Sequence, residues 1–331
     1  AMGPILVIKL GALGDFILSY RAMTAIRAHH SDARITLLTI PSLEPIARAM
    51  GLFDDIWIDT RPSASEPSLW LRLAKRLNAA RFERVYDLQT ADRTGHYFRL
   101  MGFPFSRHRP EWSGIVKGCS HRHDAADRTT KHTLERQADQ LAVAGIGPEE
   151  YPPLDLSWVQ ADLSRHAFVK EDKPFALLVP GGSPGHLAKR WPALRYGELA
   201  RVLAEKGVTP VIIGTGTEAD ACATVAGATP KAFNLCDDSP VMEVMALARD
   251  AAVAIGNDTG PLHLTAVMGC PTVALFSGLS SPELNRPRGP YEGPGAIAPP
   301  PGRTAETVTV IQEPDLGYLA ADRVVAALPS L

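Results

Sequence analysis

The sequence predicts an α/β protein made of two domains, each a parallel sheet with helices on both faces. Two series of apolar runs alternate with helical patterns, and each series opens on a strand and a glycine-rich turn, at residues 5–15 and 175–185. The strand-like runs are continuously apolar, which is typical of strands buried on both faces. A chain of 331 residues also exceeds what one hydrophobic core usually supports. Ligands of such domains bind beyond the carboxyl ends of the strands.

The first half of the chain alternates strands and helices up to residue 145. In residues 15–28, apolar side chains recur at steps of four, three and three, which indicates a helix. Residues 91–130 are rich in Arg, His, Gly and Pro, and we expect long loops there. The other predicted strands and helices are strands 5–8, 34–40, 54–60 and 84–90, and helices 69–77 and 131–145.

The second half repeats the architecture. The predicted strands are 175–181, 209–215, 232–236, 251–256, 272–276 and 307–312. The predicted helices are 192–206, 218–226, 239–250, 261–269 and a terminal helix at 315–328, with a Pro/Gly-rich loop at 278–303. We expect a first domain over residues 1–160 and a second over 174–314, facing each other across a cleft.

Composition narrows the class of protein. The chain is 45% hydrophobic with a formal net charge of −2, so general attraction to nucleic acid is not expected. No run approaches the roughly 18–20 apolar residues of a membrane helix, and no signal-peptide pattern opens the chain. The four scattered cysteines read as reduced thiols. These features predict a cytoplasmic protein.

The first glycine-rich turn is unusual because it ends in an acid. Gly11 and Gly14 flank a tight turn from strand to helix, and Asp15 follows. A carboxylate at a strand end is what a general base requires. Asp is also a preferred helix N-cap, so the turn alone leaves both interpretations open.

The second glycine-rich turn suits an anion. Gly181, Gly182 and Gly185 let backbone N–H groups approach a phosphate, Ser183 adds a hydroxyl, and Lys189 adds a compact positive charge. The turn is not a Walker loop, because the G-K-[ST] ending is absent. The alternative is a solvated loop with Lys189 at its surface.

The stretch "IGNDTGPLHL" at 255–264 predicts a second anion-binding element. Pro261 stands at the favoured first position of a helix, so Asp258, Thr259 and Gly260 lie between a strand end and a helix N-terminus. The N–H groups there suit a phosphate, and the carboxylate of Asp258 suits sugar hydroxyls. Alternatively, the side chains of Asp258 and Thr259 could simply cap the helix. His263, one turn in, is as consistent with packing as with ligand contact.

Glu218 follows another strand end, where carboxylates commonly accept hydrogen bonds from ribose hydroxyls.

Metal chemistry is disfavoured, because the sequence has no D-x-D triplet and no metal-ligand spacing. A histidine-rich stretch fits a polar acceptor surface better than a metal site; it contains His121, His123, Asp124 and His132.

Several stretches together resemble the family-9 glycosyltransferases, the family of the ADP-heptose:lipopolysaccharide heptosyltransferases. They are "ILVIKLGALGD", "VYDLQTADRT", "PGGSPGHLAKRWP", "GTGTEAD" and "GNDTGPLHLTAVMGCPTVALF". The resemblance implies a GT-B fold of two Rossmann-like domains, with a terminal segment (315–331) that returns to the N-terminal domain. It also implies an inverting, metal-independent transfer of a heptose or related sugar from a nucleotide-diphosphate donor, ADP-heptose by the resemblance, to a lipopolysaccharide core or other glycan acceptor, with no cofactor.

The resemblance assigns roles to individual residues. Asp15 falls on the general base, Lys189 on the lysine that contacts the diphosphate, and Glu218 on the ribose-binding glutamate. The donor set it implies is Gly181, Gly182, Ser183, Lys189, Glu218, Met242, Asp258, Thr259, Gly260, Pro261, Leu262 and His263. The stretch Asp238–Met242 is expected to lie against the nucleotide base. The acceptor set is Gly14, Gln89, Arg93 and Arg122.

The basic character of residues 93–136, with nine Lys/Arg and five His against four acids, favours an anionic glycan or glycolipid acceptor. Peripheral contact with the inner membrane is expected through that acceptor. Two other functions stay open: a nucleotide-sugar epimerase on the same scaffold, and a non-catalytic nucleotide-sugar or glycan binder. A dehydrogenase is the weakest alternative, because neither turn has the full dinucleotide fingerprint.

Overall fold

A computed structural model of the chain describes residues 2–182 and 185–331. The chain divides into two compact units, Ala1–Leu154 and Asp155–Leu331. Each unit contains one six-stranded parallel sheet with helices around it, which confirms the predicted α/β fold class. Of the helices in the described parts of the chain, none is both long and apolar enough to cross a membrane.

The first unit is built around its central strand. Its strands are β1 (Ile5–Ile8), β2 (Ile35–Thr39), β3 (Asp55–Ile58), β4 (Arg84–Asp87), β5 (Glu111–Gly114) and β6 (His121–Arg122). Its helices are α1 (Leu13–Leu18), α2 (Tyr20–His29), α3 (Glu44–Met50), α4 (Pro67–Ala79), α5 (Asp92–Leu100) and α6 (Thr133–Val143). The sheet order is β3-β2-β1-β4-β5-β6, and β1 is fully buried between β2 and β4.

Two predictions for this unit were wrong in detail. The helix predicted over 15–28 is two helices, broken at Ser19, whose hydroxyl donates to the backbone carbonyl of Asp15 at 2.7 Å. Residues 91–130 are not only loops, since they contain α5, β5 and β6. α5 buries Tyr97 and Phe98 in the core beside Trp112 of β5, and this packing compensates for its short length and its internal glycine.

The second unit repeats the plan. Its strands are β7 (Phe175–Val179), β8 (Thr209–Gly214), β9 (Phe233–Cys236), β10 (Val253–Asn257), β11 (Thr272–Ser277) and β12 (Val308–Glu313). Its helices are α7 (Ala167–Lys170), α8 (Ala193–Glu205), α9 (Ala219–Ala226), α10 (Val241–Asp250), α11 (Gly260–Val267), α12 (Pro282–Asn285) and α13 (Ala321–Ala326). The sheet order is β12-β11-β10-β7-β8-β9.

The terminal segment packs within the second unit. Helix α13 lies against α8, and Leu316 and Val324 belong to the same core cluster as Leu199 of α8. This packing differs from the expectation that residues 315–331 return to the N-terminal domain. The short α12 also lies inside the stretch predicted as a loop at 278–303.

Candidate active site

The turn after β1 places Asp15 inside a helix. Gly11 has φ +126°, a backbone conformation that L side chains rarely adopt, so a glycine is needed there. Ala12 is the N-cap of α1 and Asp15 is the third helical residue. The N-cap interpretation of Asp15 is therefore wrong. Its half-buried carboxylate accepts no hydrogen bond from the described residues, so it is available to a ligand.

A buried lysine lies beneath this turn. Lys9 is 5% exposed, and its Nζ donates to the carbonyl of Leu88 at 3.4 Å. Burial lowers the pKa of Lys9 below its usual 10.5, while the charges of Asp15 and Asp87 oppose that shift. Arg136 on α6 also interacts electrostatically with Asp15. Asp15 thus interacts electrostatically with two cations that the sequence analysis did not single out.

Asp87, at the end of β4, organises the neighbouring loop. Its buried carboxylate accepts from the backbone N–H of Gln89 at 3.1 Å, from that of Thr90 at 2.9 Å and from the hydroxyl of Thr94 at 2.8 Å. Burial raises the pKa of Asp87 to about 6, although these hydrogen bonds and Lys9 act in the opposite direction. The carboxylate therefore fixes the loop that follows β4 beside the turn that follows β1.

The structure gives the four predicted acceptor residues different surroundings. Gly14 is buried in α1 next to Asp15, and the side-chain oxygen of Gln89 accepts from the N–H of Leu10 at 2.9 Å. Arg93 donates instead to the carbonyl of Pro62 at 3.0 Å. Arg122, on β6, bonds the Ile115 carbonyl at 3.2 Å and Asp124 at 3.3 Å. Gly14 and Gln89 thus lie at the Asp15 turn, while the contacts of the two arginines lie elsewhere in the unit.

In the second unit, one buried amide joins the strand ends. Asn257 closes β10, and its Nδ2 donates to the carbonyls of Pro180 and Gly181, each at 3.0 Å. Its Oδ1 accepts from the N–H of Trp191 at 3.0 Å and from the hydroxyl of Tyr196 at 2.8 Å. All four hydrogen-bonding positions of the amide are used. The sequence analysis quoted Asn257 within its motif but assigned it no role.

The Glu218 carboxylate lies against the turn that follows β7. It accepts from the N–H and the hydroxyl of Thr215 at 2.6 and 2.8 Å, as in a capping box. A Cβ added at Gly181 would collide with this carboxylate, so any larger residue there would displace the Glu218 side chain. Beside it, Arg190 donates to the Gly182 carbonyl at 2.5 Å. The predicted contact of Ser183 lies outside the described residues.

The N-terminus of α11 is the third component of this strand-end group. Thr259 occupies the N-cap position, but its hydroxyl does not cap the helix and, among the described residues, has no partner although it is buried. Gly260 and Pro261 are the first two helical residues, so Pro261 stands one position later than predicted. Leu262 and His263 are buried behind them. The half-buried Asp258 links β10 to this helix.

Lys189 lies half-buried in a single 3-10 turn, and its ammonium forms no ion pair with the residues that the structure describes.

Farther along the sheet edge, Met242 is half-buried near the start of α10. Arg165 holds the preceding loop through Asp238 at 2.7 Å and also binds Glu243 at 2.5 Å, and it lowers the pKa of both carboxyls.

In residues 2–182 and 185–331, no cluster of three His, Cys, Asp or Glu side chains has the geometry of a metal site. The histidine-rich stretch has other contacts. His121 bonds Ser120 at 2.9 Å, and His132 accepts from the N–H of Leu134 at 3.1 Å as the N-cap of α6.

Comparison with known proteins identifies the family. Residues 70–292 match the family model described as glycosyltransferase family 9 (heptosyltransferase). Lipopolysaccharide heptosyltransferase 2 of Escherichia coli K12 is 25% identical over 300 residues, which cover 86% of this chain and 85% of that protein.

Solved structures of the family share the fold. A family-9 glycosyltransferase from Veillonella parvula has a TM-score of 0.77 at 19% identity, over 98% of this chain and 95% of that one. The E. coli ADP-heptose lipopolysaccharide heptosyltransferase II has a TM-score of 0.72 at 20% identity, over 98% of both chains. The chain has the predicted GT-B fold. Because the family match spans more than half of the sequence, the chain belongs to glycosyltransferase family 9 and is a glycosyltransferase.

Proposed function

We propose that this glycosyltransferase moves a heptose from a nucleotide diphosphate, ADP-heptose in the first instance, to a sugar of a lipopolysaccharide core. The names of its relatives supply the class of donor and acceptor. The same proposal places the reaction in the cytoplasm, with residues 174–314 as the donor-binding domain.

One observation carries the proposal. Three anion- or hydroxyl-binding features converge on the carboxyl edge of the second sheet: the Gly181 turn with Lys189, the Glu218 carboxylate, and the start of α11. β10, β7 and β8 are adjacent in that sheet, so the loops after them lie side by side. Such a group suits a nucleoside diphosphate, with N–H groups for phosphate and a carboxylate for ribose.

In the proposed reaction, Asp15 removes the proton from an acceptor hydroxyl as its oxygen attacks the anomeric carbon of the heptose. The bond from that carbon to the diphosphate oxygen breaks, and the configuration inverts. Lys189 and the N–H groups at the start of α11 stabilise the negative charge on the departing diphosphate. An inverting displacement needs one base and a stabilised leaving group, and these residues supply both without a metal.

The remaining site residues contact the diphosphate, the heptose, the nucleotide base and the acceptor. The turn residues Gly181, Gly182 and Ser183 admit the phosphates, and Asp258 accepts hydroxyls of the heptose. Met242 lies against the adenine base of the nucleotide. Gln89, beside Asp15, contacts the acceptor, and Arg93 and Arg122 attract its anionic groups.

The test is a panel of ADP-, UDP- and GDP-sugars incubated with core oligosaccharide and an excess of EDTA. We expect ADP release with ADP-heptose, together with a new glycoside of inverted configuration detected by mass spectrometry and NMR. Release that stops in EDTA and returns with Mg²⁺ would contradict metal independence. Conversion of the nucleotide sugar to its epimer without a glycoside would instead support the epimerase.

A further inference from the structure

Two segments of the first unit carry positive charge without any acid. Residues 67–82 and 93–110 contain no Asp or Glu, although the chain as a whole has a net charge of −2. Together they contain eight cations: Arg72, Lys75, Arg76, Arg81, Arg93, Arg99, Arg107 and Arg109. Charge is therefore distributed very unevenly over the molecule.

The structure brings these segments side by side. The amide of Asn78, near the end of α4, donates to the carbonyl of Leu100 at the end of α5 at 2.8 Å. Closer to the two N-termini, the Trp70 ring lies 5.9 Å from that of Tyr97 and 6.1 Å from that of His96. The two helices thus run parallel, and the loop that leaves α5 begins next to the end of α4.

That loop presents large apolar side chains to solvent. The N–H groups of Phe105 and Ser106 both donate to the carbonyl of Gly102, at 2.8 and 3.0 Å, which folds the loop into a tight turn. Phe103 is 85% exposed and Phe105 is 47% exposed. We name Phe103, Phe105, Arg99 and Arg107 the loop-103 surface.

The cations of this region are not neutralised by the protein. Among the described residues, none of the eight forms an ion pair with a carboxylate. Arg76 stacks on Trp57 and Arg109 on Phe98, but Arg72, Lys75, Arg99 and Arg107 are exposed. An open pocket of about 580 Å³ between α4 and α5 is lined by Trp70, Arg93, His96 and Arg99.

We propose that the loop-103 surface docks on a bilayer that contains anionic phospholipid. Phe103 and Phe105 enter the interfacial region, and the exposed cations of the two acid-free segments bind lipid phosphates. Exposed phenylalanines in an acid-free segment with unpaired cations match the boundary of an anionic bilayer, where negative headgroups cover an apolar layer. The inference does not depend on the proposed reaction, because membrane binding is measured without donor or acceptor.

The experiment compares the full chain on phosphatidylcholine vesicles with and without phosphatidylglycerol. We expect sedimentation with the anionic vesicles only, weakening as salt is raised. Phe103→Ser with Phe105→Ser, and separately Arg99→Glu with Arg107→Glu, should each lower the fraction bound at least about tenfold. The matched controls lie in the second unit: Tyr318→Ser, which removes another exposed aromatic, and Arg201→Glu with Lys206→Glu.

All four side chains of the loop variants are solvent-exposed, so the variants should keep the wild-type melting temperature, measured by circular dichroism. Wild-type protein that stays in the supernatant with anionic vesicles would overturn the proposal. Loop variants that sediment like the controls would also overturn it. Binding to a single-stranded oligonucleotide but not to vesicles would reassign the surface to nucleic acid.

Discussion

Asp15 is the residue on which the proposed chemistry depends. Asp15→Asn keeps the shape of the side chain but removes its capacity to take a proton. We expect turnover to fall about 10²–10⁴-fold, the usual range for loss of a general base. As Asp15 lies in the first turn of α1 and is not its N-cap, the unfolding free energy should change by only about 0.3–1 kcal/mol. Steady-state transfer rates and thermal unfolding measure the two effects.

Asp92→Asn is the matched control, because Asp92 is an exposed acid in the first turn of α5. It should alter stability to a similar small extent and leave turnover unchanged. An Asp15→Asn enzyme as active as the wild type would remove Asp15 from the mechanism.

Asp87 should make the stability of the first unit depend on pH. Its pKa in the folded protein is about 6, above the value of 3.8 that it has when unfolded, so the native state binds its proton more tightly. That stabilisation is complete below pH 4 and is lost as the pH rises through 6. The shift corresponds to about 3 kcal/mol.

Asp87→Asn removes this titration. Its amide oxygen can still accept from both backbone N–H groups, and its NH₂ can donate to Thr94, whose hydroxyl can donate to the Ala91 carbonyl. Relative to the wild type, the variant should therefore gain stability between pH 4 and 7, as measured by urea unfolding at a series of pH values. Parallel curves for the two proteins would contradict this prediction.

The sequence shows some of these residues more readily than others. Asp15, Lys189 and Glu218 stand in glycine-rich turns after apolar runs, so local pattern is enough to select them. Lys9, Asp87 and Asn257 end or follow strands, where they resemble ordinary boundary residues. The roles of Lys9 and Asn257 come from partners 61–79 residues away in the chain, for example Tyr196 for Asn257 and Leu88 for Lys9. Asp87 instead bonds groups two to seven residues further along the chain, in a loop whose fold the sequence does not reveal. A polar residue directly at the end of a buried strand is the only signal that could have found them.

At the scale of elements, Asn257 holds three parts of the second unit together: the end of β10, the turn after β7, and the start of α8. Asn257→Asp would place a carboxylate oxygen against the carbonyls of Pro180 and Gly181, which need a donor. We expect about 2–5 kcal/mol of destabilisation, from two buried acceptors left unsatisfied and an unpaired buried charge. Urea unfolding measures it, and weaker ADP binding should accompany it.

Asn234→Asp provides the comparison. Asn234 is exposed, and its side-chain oxygen only accepts from the N–H of Cys236, at 3.0 Å, which an aspartate can also do. It should stay within about 0.5 kcal/mol of the wild type, as surface substitutions usually do. Equal stabilities for the two variants would show that the Asn257 amide does not hold the turn.

Long apolar strands were the elements that sequence predicted best. β1, β2, β7 and β11 are continuously buried, and their runs of Ile, Leu and Val admit few other interpretations. α5 and β5 were missed, because α5 buries only three side chains and β5 is four residues long. Phe98 of α5 packs against Trp112 of β5, and no local pattern reveals that contact.

At the scale of the whole molecule, the two units should respond differently to nucleotide. We expect ADP to slow amide hydrogen exchange in residues 185–190, 215–218 and 258–263, and to leave residues 9–15 unchanged. The reason is that every proposed donor contact comes from the second unit. Mass spectrometry of peptides from the intact chain gives the comparison, with adenosine as the control that lacks phosphates. Protection centred on residues 9–15 would place the nucleotide in the first unit.

The acid-free segments 67–82 and 93–110 also affect how the protein should behave on an ion-exchange column. A net charge of −2 predicts that a sulfonate resin at neutral pH will let the protein pass. A resin, however, responds to the part of the surface that touches it, and two adjacent segments with eight cations and no carboxylate of their own give it a locally positive surface to bind. We expect retention at low salt and elution on a gradient, with the variant carrying Arg99→Glu and Arg107→Glu eluting earlier.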